Sequence, residues 1–94
     1  RVTILNGSVT PGLAARTSDF LKEKGVNVTA ADNAPQASTY TQITFYNGKP
    51  YTVKYLVELM GINKLRIHHF YDPTSPVDVS VTLGDDWAAS NPMP

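Results

Sequence analysis

The stretch ILNGSVTPGLAAR, residues 4–16, has the order of strand, glycine turn and helix from which phosphate-binding loops are built. Gly7 and Gly12 have the G-x-x-x-x-G spacing of a P-loop. In that motif the next two residues are Lys and Ser or Thr, which contact the phosphates and Mg²⁺. Here they are Leu13 and Ala14. The stretch is therefore interpreted as a structural βα turn, whose helix N-terminus offers only a generic attraction for anions.

Histidines and carboxylates occur in pairs, but neither pair predicts a metal site. His68 and His69 are neighbours in a predicted strand and point to opposite faces, so they cannot chelate one ion together. Asp85 and Asp86 could bind Mg²⁺ or Ca²⁺, but two acids fall short of the ligand number. The favoured interpretation is that they cap a turn and that Trp87 covers the end of the core. With no cysteine and no G-x-S-x-G motif, we predict no catalytic residue, no metal and no cofactor.

Aromatic and basic side chains lie close together in the middle of the chain. Tyrosine rings can pack on the C–H faces of sugars, and basic groups can bind phosphate or carboxylate, so the set suits an anionic glycan. The predicted ligand-binding residues are Tyr46, Lys49, Arg66 and His68. Protonation of the histidine would add positive charge at acid pH. The alternative is that these tyrosines bury their rings and expose only their hydroxyls.

The charge distribution narrows the classes of partner. The chain has 94 residues, eight Lys and Arg, eight Asp and Glu, and a formal net charge of zero, which argues against a general nucleic-acid binder. All eight basic residues lie in residues 1–71, together with four of the acids. This excess points to an anionic partner, although ordinary solvated charge would also explain it. No apolar run reaches the roughly 18 residues of a membrane span.

Hydrophobic spacing predicts the element order β-α-β-β-α-β-β. The first helix is predicted to have Thr10 as N-cap and Pro11 as first residue, and to end at Gly25. The second is predicted between Pro50 and Gly61. The predicted strands are residues 2–5, 26–32, 41–46, 64–71 and 77–83.

The fold class follows from the loops and from strand alternation. The loop NAPQASTY is too short for a helical crossover, so strands two and three are expected to pair antiparallel. Strands in which apolar and polar residues alternate have one face covered by the core and one face exposed to solvent. We predict an α+β two-layer sandwich with a mixed or antiparallel sheet and both helices on one face, ferredoxin-like in outline. The predicted open face carries Thr44, Tyr46, Arg66, His68, Phe70, Asp78, Ser80 and Thr82. The predicted core contains Phe20, Leu21, Leu56, Val57, Val79 and Val81.

Three stretches together resemble a known family. These are VTILNGSVTPGLAAR, NGKPYTVKYLVELMG and VDVSVTLGDDW, in this order and spacing. The chain resembles the LytR C-terminal domain, a module of bacterial LytR-CpsA-Psr cell-envelope proteins. The resemblance implies an extracytoplasmic location and a membrane-anchored parent protein, whose glycopolymer transferase residues lie in a separate domain. The older name for this group, transcriptional attenuator, finds no support in the residues.

The predicted function is that of a non-catalytic accessory domain, residues 1–88, followed by a disordered tail, residues 89–94. Its expected partner is an anionic cell-wall glycopolymer or peptidoglycan. The alternative is a protein-interaction module that docks on the parent's catalytic domain or on another envelope protein, which a large apolar patch would favour. A third interpretation, a small hydrolase or transferase, is poorly supported because the sequence has no recognisable nucleophile or acid–base constellation. Neither nucleic acid nor membrane insertion is expected, and the chain, which opens on a strand at Arg1, is expected to be part of a longer protein.

Overall fold

A computed structural model describes residues 1–46, 50–91 and 93. Its elements are β1 Val2–Asn6, α1 Leu13–Glu23, β2 Val28–Asn33, β3 Gln42–Phe45, α2 Pro50–Met60, a 3-10 turn Lys64–Arg66, β4 Ile67–His69, β5 Val79–Leu83 and α3 Asp85–Ala89. The second helix begins at Pro50, as predicted. Among the described residues no helix combines the length and the apolarity needed to cross a membrane.

The five strands form one mixed sheet in the order β2-β1-β5-β3-β4. Strand β1 pairs parallel with both β2 and β5, whereas β3 pairs antiparallel with β5 and parallel with β4. Each long helix therefore connects two neighbouring parallel strands. Because such crossovers are right-handed, and β1 and β3 run in opposite directions toward opposite edges, α1 and α2 lie on the same face. The predicted two-layer sandwich with a mixed sheet is confirmed.

The expected pairing of the second and third strands is wrong. Strands β2 and β3 run in opposite directions, but β1 and β5 lie between them. Their connecting loop, residues 34–41, crosses the end of the sheet, where Ser38 N–H donates to the Gly7 carbonyl at 2.7 Å and Asp85 N–H donates to the Ser38 carbonyl. The loop is thus bonded to the ends of the central strands and does not form a hairpin turn. The ferredoxin-like outline holds for the order of elements along the chain only. In a split βαβ unit another strand lies between the two parallel strands, whereas here β1 pairs directly with β2 and β3 pairs directly with β4.

The core lies between the sheet and the two long helices. Strand β5 is the centre of it, because Val79, Val81 and Leu83 are fully buried on the helix face. Leu21 and Leu56 are equally buried on the facing helices. The predicted core residues are confirmed as buried, except Val57, which is partly buried against the others. The alternation of apolar and polar residues in the sequence therefore identifies the covered face correctly.

The start of α1 differs from the prediction. The N-cap is Gly12, with a φ of 75°, and the helix begins at Leu13. Thr10 lies in the preceding turn, where its carbonyl accepts a hydrogen bond from the Asn6 side chain at 2.8 Å. The turn stabilised by this bond extends to Gly12, so the helix begins two residues later than the capping pattern predicts. The predicted helix stop is confirmed, because Gly25 follows α1 with a φ of 86°.

Three other elements differ from the sequence-based assignment. Strand β2 begins two residues later than predicted, and Ala30 is exposed because β2 is an edge strand. The fourth strand is shorter than predicted, since Lys64–Arg66 forms a 3-10 turn capped by the side chain of Asn63. The sequence predicts a turn and a tail where the structure forms the helix α3. Ala89 is its last residue, and Met93 packs against the core.

Candidate functional site

The carboxylates of Asp85 and Asp86 lie where three segments meet, at the carboxyl ends of β1 and β5. The Asp86 Oδ1 atom accepts hydrogen bonds from the Thr41 N–H at 2.9 Å, from the Thr41 hydroxyl at 2.7 Å and from the Trp87 N–H at 2.7 Å. The Asp85 Oδ1 atom accepts from the Val9 N–H at 3.0 Å. These acids therefore join loops to the first turn of α3, and the turn-capping interpretation is confirmed.

Trp87 closes the end of the core beside these acids. Its side chain is 3% exposed, and its Nε1–H donates to the Thr17 hydroxyl at 2.9 Å. Its ring lies 6.3 Å from that of Phe20. A Cβ atom at Gly84 would lie 2.7 Å from the Thr41 nitrogen, so the backbones approach too closely for a side chain. We call this region, residues 6–12, 34–39, 41 and 83–87, the loop junction.

The glycine turn that resembles a phosphate cradle belongs to the same junction. The Asn6 side chain is 8% exposed, and its Oδ1 accepts from the Ser8 N–H at 3.0 Å and from the Ser8 hydroxyl at 2.6 Å. A Cβ atom at Gly7 would lie 3.0 Å from the Leu83 carbonyl oxygen. Gly7 is therefore needed for packing against β5, and the turn bonds to itself.

The opposite face of the sheet carries three of the predicted binding residues, Tyr46, Arg66 and His68. In the register of the strands, Thr44 lies between His68 on β4 and Ser80 on β5, and Gln42 lies opposite Thr82. Side chains two residues apart share a face, so the residues preceding and following these strands extend the row. We call this row the open-face strip: Tyr40, Gln42, Thr44, Tyr46, Arg66, His68 and Phe70.

Three lateral contacts connect the strip. The Arg66 guanidinium carbon lies 4.1 Å from the centre of the Tyr40 ring. The Nε2 atom of His68 lies 3.0 Å from the Gln42 Oε1. At the far end the rings of Tyr46 and Phe70 meet edge to face, with centroids 6.4 Å apart.

The strip is open to solvent at both ends. Tyr40 is 50% exposed and Phe70 is 65% exposed. Beside its middle lies a pocket of about 210 Å³, which is lined by the loop 34–38 and by Gln42, Thr44 and Thr82. In the part of the chain that the structure describes, Arg66 forms no ion pair. A cation, hydrogen-bonding groups and exposed rings are thus arranged along one surface.

The predicted site residues fall into two groups. Tyr46, Arg66 and His68 share the open face, but the ring that Arg66 contacts is Tyr40. Lys49 lies outside the described residues. The sequence analysis predicts a loop at Tyr40, although the alternation of the third strand, extended back from Tyr46 in steps of two residues, reaches it.

His69, in contrast, lies on the helix side of the sheet. Its ring stacks on that of Phe45 with centroids 4.4 Å apart, as expected for neighbours that point to opposite faces. Among residues 1–46, 50–91 and 93, no three His, Cys, Asp or Glu side chains lie together as a metal site would require.

Comparisons with known proteins agree with this architecture. The family described as LytR cell envelope-related transcriptional attenuator matches residues 1–87. The soluble domain of a conserved hypothetical secreted protein from Mycobacterium marinum has a similar crystal structure, with a TM-score of 0.67 and 27% sequence identity. The alignment covers 92% of this chain and 59% of that one. No curated protein matches the chain.

Proposed function

We propose, since this chain belongs to the LytR C-terminal domain family, that it is a non-catalytic accessory domain that binds a cell-wall glycopolymer. The binding surface is the open-face strip. The family description names a relation to the cell envelope, and the similar structure is that of a secreted protein. Both support an extracytoplasmic location for this chain.

The observation that carries the proposal is the contact of the half-buried Arg66 side chain with the Tyr40 ring, whose centre lies 4.1 Å from the guanidinium carbon. A guanidinium packed over an aromatic ring keeps the N–H groups at its edge available for an oxyanion. The ring below it restricts the motion of the guanidinium, so less conformational entropy is lost when an anion binds. Anionic wall polymers provide phosphate or carboxylate groups of the required geometry.

The composition of the strip favours a glycan over a protein partner. Between the exposed rings lie amide, hydroxyl and imidazole groups, which match the hydroxyl groups of a sugar chain. Protein docking would be favoured by a continuous apolar surface. Here Gln42, Thr44 and His68 interrupt any such surface on the strip.

Two further roles receive less support. A transcriptional role, which the family description names, would use a basic surface, and the formal net charge of zero does not favour one. Docking on another envelope protein would draw on Leu65 and Tyr71, which are 81% and 70% exposed near the strip. The experiment below separates docking from glycan binding.

The proposal is tested by sedimentation of the purified protein with isolated bacterial cell walls, before and after chemical removal of their anionic polymers. We expect co-sedimentation with intact walls and a large loss after removal. Arg66→Ala should weaken binding and reduce its dependence on salt, since charge interactions are screened over about 8 Å at physiological ionic strength. Tyr46→Ala should weaken binding with a smaller change in that dependence.

The matched control is Arg16→Ala, which removes an exposed arginine from α1 on the opposite layer. This variant should bind walls like the unmodified protein. If Arg66→Ala and Arg16→Ala bind equally well, the open face is not the binding surface. If binding survives removal of the anionic polymers and is lost in Tyr71→Ala, a wall-associated protein is the partner.

A further inference from the structure

The two ends of the open-face strip differ in chemistry: one carries a guanidinium and the other a pair of aromatic rings. We propose, resting on the function proposed above, that the strip is two subsites for one extended glycan. An oxyanion of the glycan binds at the Tyr40–Arg66 end, and a sugar ring packs on the Tyr46–Phe70 end. The direction in which the polymer lies on the sheet is then fixed.

The Tyr40–Arg66 end is basic. The guanidinium carbon of Arg66 lies 4.1 Å from the centre of the Tyr40 ring, and the group has no carboxylate partner among the residues described. Its planar group can donate two parallel hydrogen bonds to one phosphate or carboxylate. Lys64 adds an exposed cation in the turn that precedes β4. This end therefore attracts an oxyanion.

The Tyr46–Phe70 end is aromatic. The Tyr46 N–H donates to the Asp78 carbonyl at 2.8 Å, and the Tyr46 carbonyl accepts from the Asp72 N–H at 3.0 Å. These bonds fix the backbone of Tyr46, while the carboxylates of Asp78 and Asp72 are bonded to the N-terminal ammonium and to Thr74. Phe70, 65% exposed and edge-on to Tyr46, provides an apolar surface for the C–H face of a neutral sugar.

The separation of the two ends sets the length of the ligand. Arg66 and Phe70 are four residues apart, and the residues between them form the extended strand β4, so their Cα atoms are separated by roughly 13 Å at about 3.3 Å per residue. The Phe70 N–H continues the ladder by donating to the Phe45 carbonyl at 3.0 Å, so the segment remains extended. One sugar ring cannot span this distance, whereas an extended oligosaccharide can. Between the ends, Gln42 and Thr44 present hydrogen-bonding groups beside the pocket of about 210 Å³.

The inference is tested by calorimetric titration with fragments of the wall's anionic polymer. The fragments are released by mild hydrolysis and separated by length. Long fragments should bind at least about tenfold more tightly than the shortest anionic fragment, a factor that corresponds to roughly 1.4 kcal/mol. Phe70→Ala should abolish this advantage of length and leave the affinity for the shortest anionic fragment unchanged. Arg66→Ala should weaken the binding of both classes by a similar factor.

Neutralising the charged groups of the fragments shows whether a phosphate or a carboxylate binds at Arg66. It also tests the division of the strip into two subsites. Fragments whose phosphates are removed, and fragments whose carboxylates are amidated, should each be compared with the untreated ones. Whichever treatment lowers affinity in the unmodified protein should have no further effect in Arg66→Ala. Tyr51→Ala removes an 87% exposed ring from α2 and serves as the control for Phe70→Ala.

The outcome separates this inference from the proposed function. If affinity is independent of fragment length, or if Phe70→Ala weakens short and long fragments equally, the division into subsites is wrong while sedimentation with walls persists. If the protein does not sediment with walls, the proposed function itself is wrong.

Discussion

The loop junction and the open-face strip contain similar residue types but use them in opposite ways. At the junction, one Asp86 oxygen accepts three hydrogen bonds and Trp87 is 3% exposed. On the strip, Phe70 is 65% exposed and the Arg66 guanidinium packs on the ring of Tyr40 without an ion pair among the described residues. Groups that are bonded within the fold stabilise it, and groups that remain open to solvent are available to a partner.

The comparison warns against choosing sites by the strength of a motif. The glycine turn and the Leu-Gly-Asp-Asp-Trp ending are the most distinctive stretches of the chain, and both belong to the junction. A buried donor without an acceptor is costly, which explains why such residues are matched so closely to their neighbours. The residues of the strip are individually common, and their arrangement is what makes them a candidate site.

The largest effect is expected for Trp87→Ala at the junction. Removing this buried ring leaves a cavity and a Thr17 hydroxyl without its donor, so the free energy of unfolding should fall by about 3–5 kcal/mol. Chemical denaturation measures the change. Tyr51→Ala, at an exposed ring, should change stability by less than about 0.5 kcal/mol. Equal losses in the two variants would contradict the structural role of Trp87.

Asp86→Ala should be the next most damaging change. It removes the acceptor of three hydrogen bonds, and we expect a loss of about 2–3 kcal/mol in the free energy of unfolding. Asp86→Asn keeps one acceptor oxygen and should lose less. The control is Asp19→Ala on the exposed side of α1. If Asp86→Ala unfolds at the same denaturant concentration as this control, the acid is not a structural cap.

Variants of the strip should change binding and leave stability nearly unaffected. Arg66→Ala and Phe70→Ala should alter the free energy of unfolding by less than about 0.5 kcal/mol, because neither side chain is buried. Denaturation and wall sedimentation are measured on the same preparations. A loss of stability as large as that of Asp86→Ala would show that the strip belongs to the structural part of the molecule.

The smallest effect is expected for nucleotides at the glycine turn. ATP or GTP with Mg²⁺ at micromolar concentration should leave the melting temperature unchanged, because Leu13 and Ala14 replace the residues that contact phosphates. Thermal denaturation with and without nucleotide measures this. A clear increase in the melting temperature would make the junction a binding site and remove the contrast between the two regions.

The sequence by itself determined the elements and the faces they bury. Periodicity of two in β5 and the helical stripe of α1 are local properties, because each depends on residues a few positions apart. They correctly predicted the two-layer architecture, the covered core and the helix stop at Gly25. They also placed Tyr46, Arg66 and His68 on one open face.

Only the tertiary structure decided the strand order and the partners of individual side chains. Asp86 and Thr41 are 45 residues apart, and Trp87 and Thr17 are 70 apart, so no local pattern relates them. The same holds for Arg66 and Tyr40, which meet because α2 returns the chain beside β3. Such pairings depend on how loops cross the sheet, and many crossings are compatible with one pattern of hydrophobic residues.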